Sequence, residues 1–158
     1  MGEKPTRREA IQTLAAGALV QLPAPYRPQS FSESQFRLVS ILVDHIIPPS
    51  DTPGAAAAGV DRYIDQELAA RSEQKTRFLA GLALLERDGF GALSPSQQIE
   101  LLTRYSADPG QAGEFFRLLK DLTVDGYYGS EIGLVRELGY RGNAFLREFP
   151  GCTHPEHR

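Results

Sequence analysis

The chain has 158 residues and a mass of 17.4 kDa, which suits a single domain with a short extension. Its 41% apolar and 23% charged residues are typical of a globular protein, and a net charge of −3 without a basic stripe argues against a nucleic-acid binder. Cys152 is the only cysteine, which excludes an internal disulfide, a zinc or iron–sulfur site built from several cysteines, and covalently bound haem c. No apolar stretch reaches the roughly 18–20 residues that span a bilayer.

The first 30 residues have the order of an export signal. Arg7 and Arg8 precede a mild apolar stretch at residues 11–20, and Pro23-Ala24-Pro25 follows it. A charged start, a short apolar core and a Pro/Ala-rich exit indicate a signal peptide, and paired arginines are typical of the twin-arginine route. We therefore predict a twin-arginine-type signal segment and linker over residues 1–30 and a helical domain over 31–158. An amphipathic helix from Arg7 to Leu22 is the alternative.

The next segments predict three amphipathic helices. Ser32 and Gln35 form a capping box ahead of apolar residues at three- and four-residue spacing, and Pro48-Pro49 ends that first helix. A turn-rich loop over residues 50–54 leads to a second helix, in which Val60 to Leu68 show the same spacing. The third helix is predicted over Glu73–Arg87 and ends at an Asp-Gly-Phe-Gly sequence.

Two further helices complete the predicted bundle. Ser94 and Gln97 form another capping box with a proline at the first helical position. The buried face of this fourth helix is predicted to consist of Ile99, Leu101, Leu102 and Tyr105. The fifth helix, over about Ala112–Tyr127, is apolar on more than one side and is predicted to be central.

Glycine and aromatic residues dominate the chain after Tyr128. A short helix over Ser130–Leu138 is compatible with the pattern, and we expect irregular structure beyond it because glycine weakens helix and strand alike. No alternating strand pattern is present. The predicted class is therefore all-α, a compact bundle of about five helices with an irregular Gly/aromatic-rich C-terminal tail.

The chain offers little chemistry of its own. It has no phosphate-binding glycine motif, no His-Glu-x-x-His and no Gly-x-Ser-x-Gly. Asp44-His45 could be a carboxylate and a base, but neighbouring helix positions point about 100° apart, which favours a polar stripe. A second cluster, Cys152, His154, Glu156 and His157, could attract a metal, although docking of this tail to a partner or to the bundle is the interpretation we favour.

The tail is the segment that most suggests a binding surface. Its aromatic side chains exceed what a short irregular segment needs for its own packing, and tyrosine is enriched at interfaces. We predict a partner-binding role for these residues, together with two polar residues near the C-terminus; the alternative is that the tail folds back and closes the bundle. The predicted contact residues are Tyr127, Tyr128, Tyr140, Phe145, Phe149, Cys152 and His154.

Five stretches, taken in order, carry a family resemblance. They are Ile-Ile-Pro-Pro-Ser-Asp-Thr-Pro-Gly-Ala at 46–55 with Ala-Gly-Val at 58–60, Phe-Phe-x-Leu-Leu-x-x-Leu-Thr at 115–123, Gly-Tyr-Tyr-x-Ser-Glu at 126–131, Glu-Leu-Gly-Tyr at 137–140 and Pro-Gly-Cys-Thr-His-Pro-Glu-His at 150–157. With the twin-arginine leader, this set resembles the gluconate 2-dehydrogenase subunit 3 family.

The resemblance implies an accessory role. It implies a non-catalytic small subunit without a cofactor, whose partner is a large FAD subunit of the glucose-methanol-choline type, often with a multihaem cytochrome c as a third subunit. It further implies that the small subunit supports maturation and stability of the flavoprotein and lends it a twin-arginine signal, so that the complex is periplasmic and peripheral to the inner membrane. Two alternatives stay open: a stand-alone oxidoreductase using Asp44, His45 or the C-terminal histidines, and a general export chaperone.

Overall fold

A computed structural model describes residues 26–142, and this part of the chain is all-α. The helices are α1 (Glu33–Ile46), α2 (Val60–Ala70), α3 (Ser72–Arg87), α4 (Pro95–Ala107) and α5 (Gln111–Gly129). A 3₁₀ turn (Phe90–Ala92) joins α3 to α4, and a short π-helix (Ile132–Glu137) follows α5. No strand occurs within residues 26–142. The predicted class and the five predicted helices are confirmed.

Local side-chain chemistry explains where several helices begin and end. At the start of α1, the Gln35 amide donates to Ser32 Oγ over 3.2 Å, and the Ser32 amide donates to Gln35 Oε1 over 3.1 Å. The same reciprocal pair joins Ser94 and Gln97 at the start of α4. Gly89, at φ 72°, follows α3 in the left-handed region that other residues avoid. Both predicted capping boxes are confirmed.

Helix α5 is the central element, as predicted from its apolar residues. It packs against all four other α-helices and against the π-helix. The Phe115 ring lies edge-on to the Phe78 ring of α3, with 5.2 Å between the centroids. Gly81 of α3 allows this approach, because a Cβ atom at that position would overlap the Phe115 ring. The buried core around α5 includes Val39, Leu42, Val43, Ile64, Leu68, Leu82, Leu85, Leu119 and Tyr127.

One predicted core residue is wrong. Ile99 is 56% exposed, whereas Leu101, Leu102 and Tyr105 of the same helix are buried. At about 100° per residue, Ile99 lies roughly 60° beyond Leu102, outside the arc that faces α5. The apolar spacing in α4 thus correctly predicts a helix, but the buried face of this helix is narrower than its apolar stripe.

Residues 26–30 pack onto the helices, although the sequence suggested a linker there. The Tyr26 ring lies against the Phe36 ring of α1, and Ser30 is buried. The hydrogen-bond acceptor for this segment is Asp65 of α2, a fully buried carboxylate. The linker interpretation misses these contacts because the acceptor is 35 or more residues away in the sequence.

Candidate partner-binding surface

Three motif stretches, one of them distant from the other two in the sequence, meet at the carboxyl group of Glu137. The Tyr127 hydroxyl, from the last turns of α5, donates to Glu137 Oε2 over 2.7 Å. The Thr52 hydroxyl, from the loop between α1 and α2, donates to the same oxygen over 3.0 Å. Tyr128 donates to Glu137 Oε1 over 3.3 Å. We call these four residues the Glu137 cluster; it joins the α1–α2 loop, α5 and the π-helix.

The Glu137 cluster changes the acidity of its members. The hydrogen bonds from Tyr127, Thr52 and Tyr128 favour the ionised carboxylate, so the pKa of Glu137 lies below its ordinary value. Burial raises the pKa of the Tyr127 phenol, and the adjacent Glu137 charge raises the pKa of Tyr128. At neutral pH the cluster therefore consists of one carboxylate and three neutral hydroxyl donors. These hydrogen bonds tie the α1–α2 loop, α5 and the π-helix together.

The α1–α2 loop is fixed at both of its sides. Asp44 of α1 accepts a hydrogen bond from the Ala56 amide over 2.8 Å, and the Ala55 amide donates to the Ile47 carbonyl over 3.0 Å. On the far side the loop reaches the Glu137 cluster through Thr52, and the Pro53 carbonyl lies 3.1 Å from the Tyr127 hydroxyl. The Pro-Pro-Ser-Asp-Thr-Pro-Gly sequence thus connects α1 to the C-terminal part of the bundle.

The π-helix is seated tightly on the end of α5. Ser130 Oγ donates to the Tyr127 carbonyl over 2.6 Å and accepts from the Gly133 amide over 3.1 Å. A Cβ atom at Gly133 would overlap the carbonyl group of Tyr127, so only glycine fits without a shift. π-Helical segments are rare and are frequent at functional sites. Here the segment brings Glu137 to the tyrosines while its other side faces solvent.

The residues around Glu137 expose large apolar side chains. The exposed fractions are 47% for Val135, 60% for Leu138 and 44% for Tyr140. All three lie within residues 135–140, which we call the 135–140 segment. Three large exposed side chains thus lie within six residues, and Glu137 among them is held in place by its hydrogen bonds. This surface is a candidate for contact with another protein.

The structure separates the predicted contact residues into three groups. Tyr127 is fully buried, so its ring belongs to the core of this chain and cannot touch a partner directly. Tyr128 is half-buried and Tyr140 is exposed. The sequence pattern does not distinguish Tyr127 from Tyr128. The two rings are identical and point in different directions from the helix, so only the packed structure shows which one faces the core.

The remaining predicted residues lie outside the described range. These are the signal residues Arg7 and Arg8 and the tail residues Phe145, Phe149, Cys152 and His154. The possible metal cluster around Cys152 lies there too. Within residues 26–142, no group of three or more His, Cys, Asp or Glu side chains is arranged to hold a metal ion.

Asp44 and His45 have different hydrogen-bond partners and are not hydrogen-bonded to each other. Gln98 Nε2 donates to the Phe90 carbonyl over 3.1 Å, so Gln98 Oε1 is the atom that faces His45 Nε2 at 2.8 Å. An amide oxygen only accepts, which means that His45 Nε2 carries a hydrogen and is not a free base there. Asp44 is engaged with the Ala56 amide instead. The pair therefore contributes to the structure, in line with the polar-stripe interpretation.

A family model, described as gluconate 2-dehydrogenase subunit 3, matches residues 33–145. The chain belongs to this family. It is accordingly a subunit of a dehydrogenase complex. No curated protein and no solved structure matches the chain significantly.

The family match has definite limits along the chain. It includes every member of the Glu137 cluster and the whole 135–140 segment, and it ends before the Pro-Gly-Cys-Thr-His stretch at 150–154. Among the helices that the structure describes, none has the length and apolar character needed to cross a bilayer.

Sequence reasoning missed two members of the site. Glu137 lies in the Glu-Leu-Gly-Tyr motif and Thr52 in the proline-rich loop, but the sequence pattern predicts a role for neither. One signal in the sequence could have indicated a role for them: both are polar residues within motif stretches, and both lie in a loop or a short helix. Their meeting, across 85 positions, is a property of the tertiary structure.

Proposed function

We propose that this protein is the non-catalytic small subunit of a flavin-dependent sugar or sugar-acid dehydrogenase. It binds a large FAD subunit of the glucose-methanol-choline type and supports its maturation, stability and export. The observation that carries the proposal is the family match over residues 33–145. In keeping with it, the chain has no dinucleotide-binding motif, and FAD belongs to the partner subunit. Complexes of the kind that the resemblance implies often include a multihaem cytochrome c as a third subunit.

The 135–140 segment is the surface that best suits contact with the flavoprotein. Leu138 and Val135 expose apolar area that a partner would bury, and Tyr140 combines an apolar ring with a polar group. The Glu137 cluster fixes the backbone that carries these side chains, so little conformational freedom is lost when a partner binds. Tyr127 serves the interface indirectly, by holding Glu137, and Tyr128 lies at its edge.

Co-purification tests the binding role. The tagged full-length chain, isolated from its native host, should bring down a large flavoprotein with the absorbance of bound FAD, whereas the chain alone should oxidise neither gluconate nor glucose. Sugar oxidation by the chain alone would instead support the stand-alone oxidoreductase, and capture of many unrelated proteins would support a general chaperone.

A matched pair of charge substitutions tests the surface. Leu138→Glu should weaken binding of the flavoprotein by about 30-fold or more, because a carboxylate would be buried in an apolar contact. Ile99→Glu on α4 places the same charge at a residue of similar exposure, 56% against 60%, and should leave binding unchanged. Equal effects of the two substitutions, or no effect of Leu138→Glu, would contradict the assignment of this surface.

The export role is tested separately. The proposal holds that the twin-arginine signal of this chain carries both subunits to the periplasm, where the complex is peripheral to the inner membrane. Replacing Arg7 and Arg8 by lysine keeps the charge, and should leave the flavoprotein in the cytoplasm. Arg27→Lys, an exposed basic residue beyond the signal, is the control and should not change its location. Normal export of the flavoprotein with both arginines replaced would refute this part.

A further inference from the structure

Residues 26–31 form a strap across three helices. The Tyr26 ring lies 5.3 Å from the Phe36 ring of α1, measured between centroids, and the guanidinium carbon of Arg62 of α2 lies 5.4 Å from the centre of the Tyr26 ring. At the other end of the strap, the Phe31 ring is buried 5.7 Å from the Phe78 ring of α3. These contacts exist only when α1, α2 and α3 are packed together.

Asp65 holds the strap through its carboxylate. It accepts hydrogen bonds from the Tyr26 hydroxyl over 2.7 Å and from the Gln29 and Ser30 amides over 2.8 Å each. Ser30 Oγ donates in turn to the Asp65 carbonyl over 2.8 Å. A carboxylate with no exposed surface is stable only when such bonds are made, and here all three donors to it come from the strap. Release of the strap would therefore leave a buried carboxylate without these donors, which costs free energy.

We propose that Asp65 is the latch of this strap: it closes only on the assembled α1–α3 unit and protects the peptide bonds of residues 26–31 from proteolysis. The latch goes beyond the accessory function and does not depend on it. One consequence concerns processing. A peptidase that removes N-terminal residues from the folded chain must cut before Tyr26, because the peptide bonds of the strap that follow are held against the helices.

Limited proteolysis of the full-length chain with chymotrypsin tests the latch. The Tyr26–Arg27 and Phe31–Ser32 bonds are chymotryptic sites inside the strap, and the rates at which they are cut can be followed by mass spectrometry. In Asp65→Asn, which removes the charge and replaces one acceptor oxygen by a donor, these two bonds should be cut at least about tenfold faster. Sites within the helices should be cut as slowly as in the wild type.

Milder variants keep the test decisive if Asp65→Asn unfolds the whole bundle. Tyr26→Phe removes only the hydroxyl, retains the ring and remains a chymotryptic site, and it should be cut several-fold faster at the strap alone. Ser40→Ala is the matched control: it removes another hydroxyl–carboxylate bond between α1 and α2, from Ser40 to Asp61 over 2.6 Å, without touching the strap. In Ser40→Ala, the Tyr26–Arg27 and Phe31–Ser32 peptide bonds should be cut as slowly as in the wild type.

Two results would overturn the latch. One is rapid cutting at Tyr26–Arg27 in the wild type, at the rate of a free peptide of the same sequence. The other is equal cutting of the strap in wild type, Tyr26→Phe and Ser40→Ala. A second readout is the acidity of the phenol: burial, with the bond to Asp65, raises the pKa of Tyr26 to about 12, and a released strap would return it toward 10.0.

Discussion

Gly133 is the position where one added methyl group should disturb the candidate surface most directly. Its Cβ would overlap the carbonyl group of Tyr127 and would lie 3.0 Å from the Tyr127 ring. The main chain at the end of α5 cannot rotate out of the way as a long side chain could. In Gly133→Ala the π-helix must therefore move away from α5, and it carries Glu137 and the 135–140 segment with it.

The expected cost can be worked out from this overlap. Overpacking costs about 1–3 kcal/mol, and an overlap with main chain belongs to the upper part of that range, about 2–3 kcal/mol. Against this, alanine reduces the freedom of the unfolded chain, which stabilises by about 0.4–1 kcal/mol. The net loss in unfolding free energy is about 1–2.5 kcal/mol, which corresponds to a fall in Tm of about 4–10 °C for a unit of this size.

Gly129→Ala is the matched control, four residues earlier at the end of α5. Apart from its chain neighbours and the adjacent backbone of its own helix, no atom of the described residues lies within 4 Å of its would-be Cβ, and its φ is not in the left-handed region. This variant should be neutral or more stable by up to about 1 kcal/mol. Thermal unfolding followed by circular dichroism measures both, and flavoprotein binding should weaken in Gly133→Ala only. A Gly133→Ala variant as stable as the wild type, or a Gly129→Ala variant destabilised to the same extent, would contradict the overlap at Gly133.

Three further predictions concern pH and packing. The pKa of Glu137 is lowered chiefly by the Tyr127 hydroxyl, so in Tyr127→Phe it should move up toward its ordinary 4.5, as seen by carboxyl NMR titration. The lowered pKa of Glu137 stabilises the folded state fully above pH 4.5, and this contribution is lost as the pH falls through the folded-state pKa. The free energies of unfolding of the wild type and of Tyr127→Phe should therefore differ at pH 7 and converge in acid. Burial and the 2.8 Å bond to Asp88 raise the pKa of Tyr105, so the stability it contributes is complete below pH 10 and is lost as pH rises through the folded-state pKa. Alkaline unfolding should therefore be less steep in Tyr105→Phe. Leu42→Ala removes a fully buried side chain of α1 and should cost about 2–5 kcal/mol in urea unfolding, whereas a cost below about 1 kcal/mol would contradict its place in the core.

The helices were predictable because the forces that begin and end them are local. The capping boxes at Ser32 and Ser94 use residues three positions apart, and the left-handed Gly89 acts within one turn. The predicted third helix, Glu73–Arg87, differs from α3 by one residue at its start. The centrality of α5 followed from apolar residues around its circumference.

The site was predictable only in part. The motifs contain every member of the Glu137 cluster, and Tyr140 is exposed, but its contact with a partner stays a prediction. The roles of Glu137 and Asp65 were not visible, because each carboxylate is defined by donors that lie elsewhere in the chain.

The amino-acid sequence by itself determined the helical class, the helix boundaries and the family, since these depend on periodicity, capping and motif order over short distances. Tertiary structure alone decided which tyrosine is buried, which side of α4 faces solvent, and which carboxylates hold the α1–α2 loop and the N-terminal strap. The physical reason is range: a helix forms from contacts within four residues, whereas a buried carboxylate needs hydrogen-bond donors that only the packed bundle brings to it.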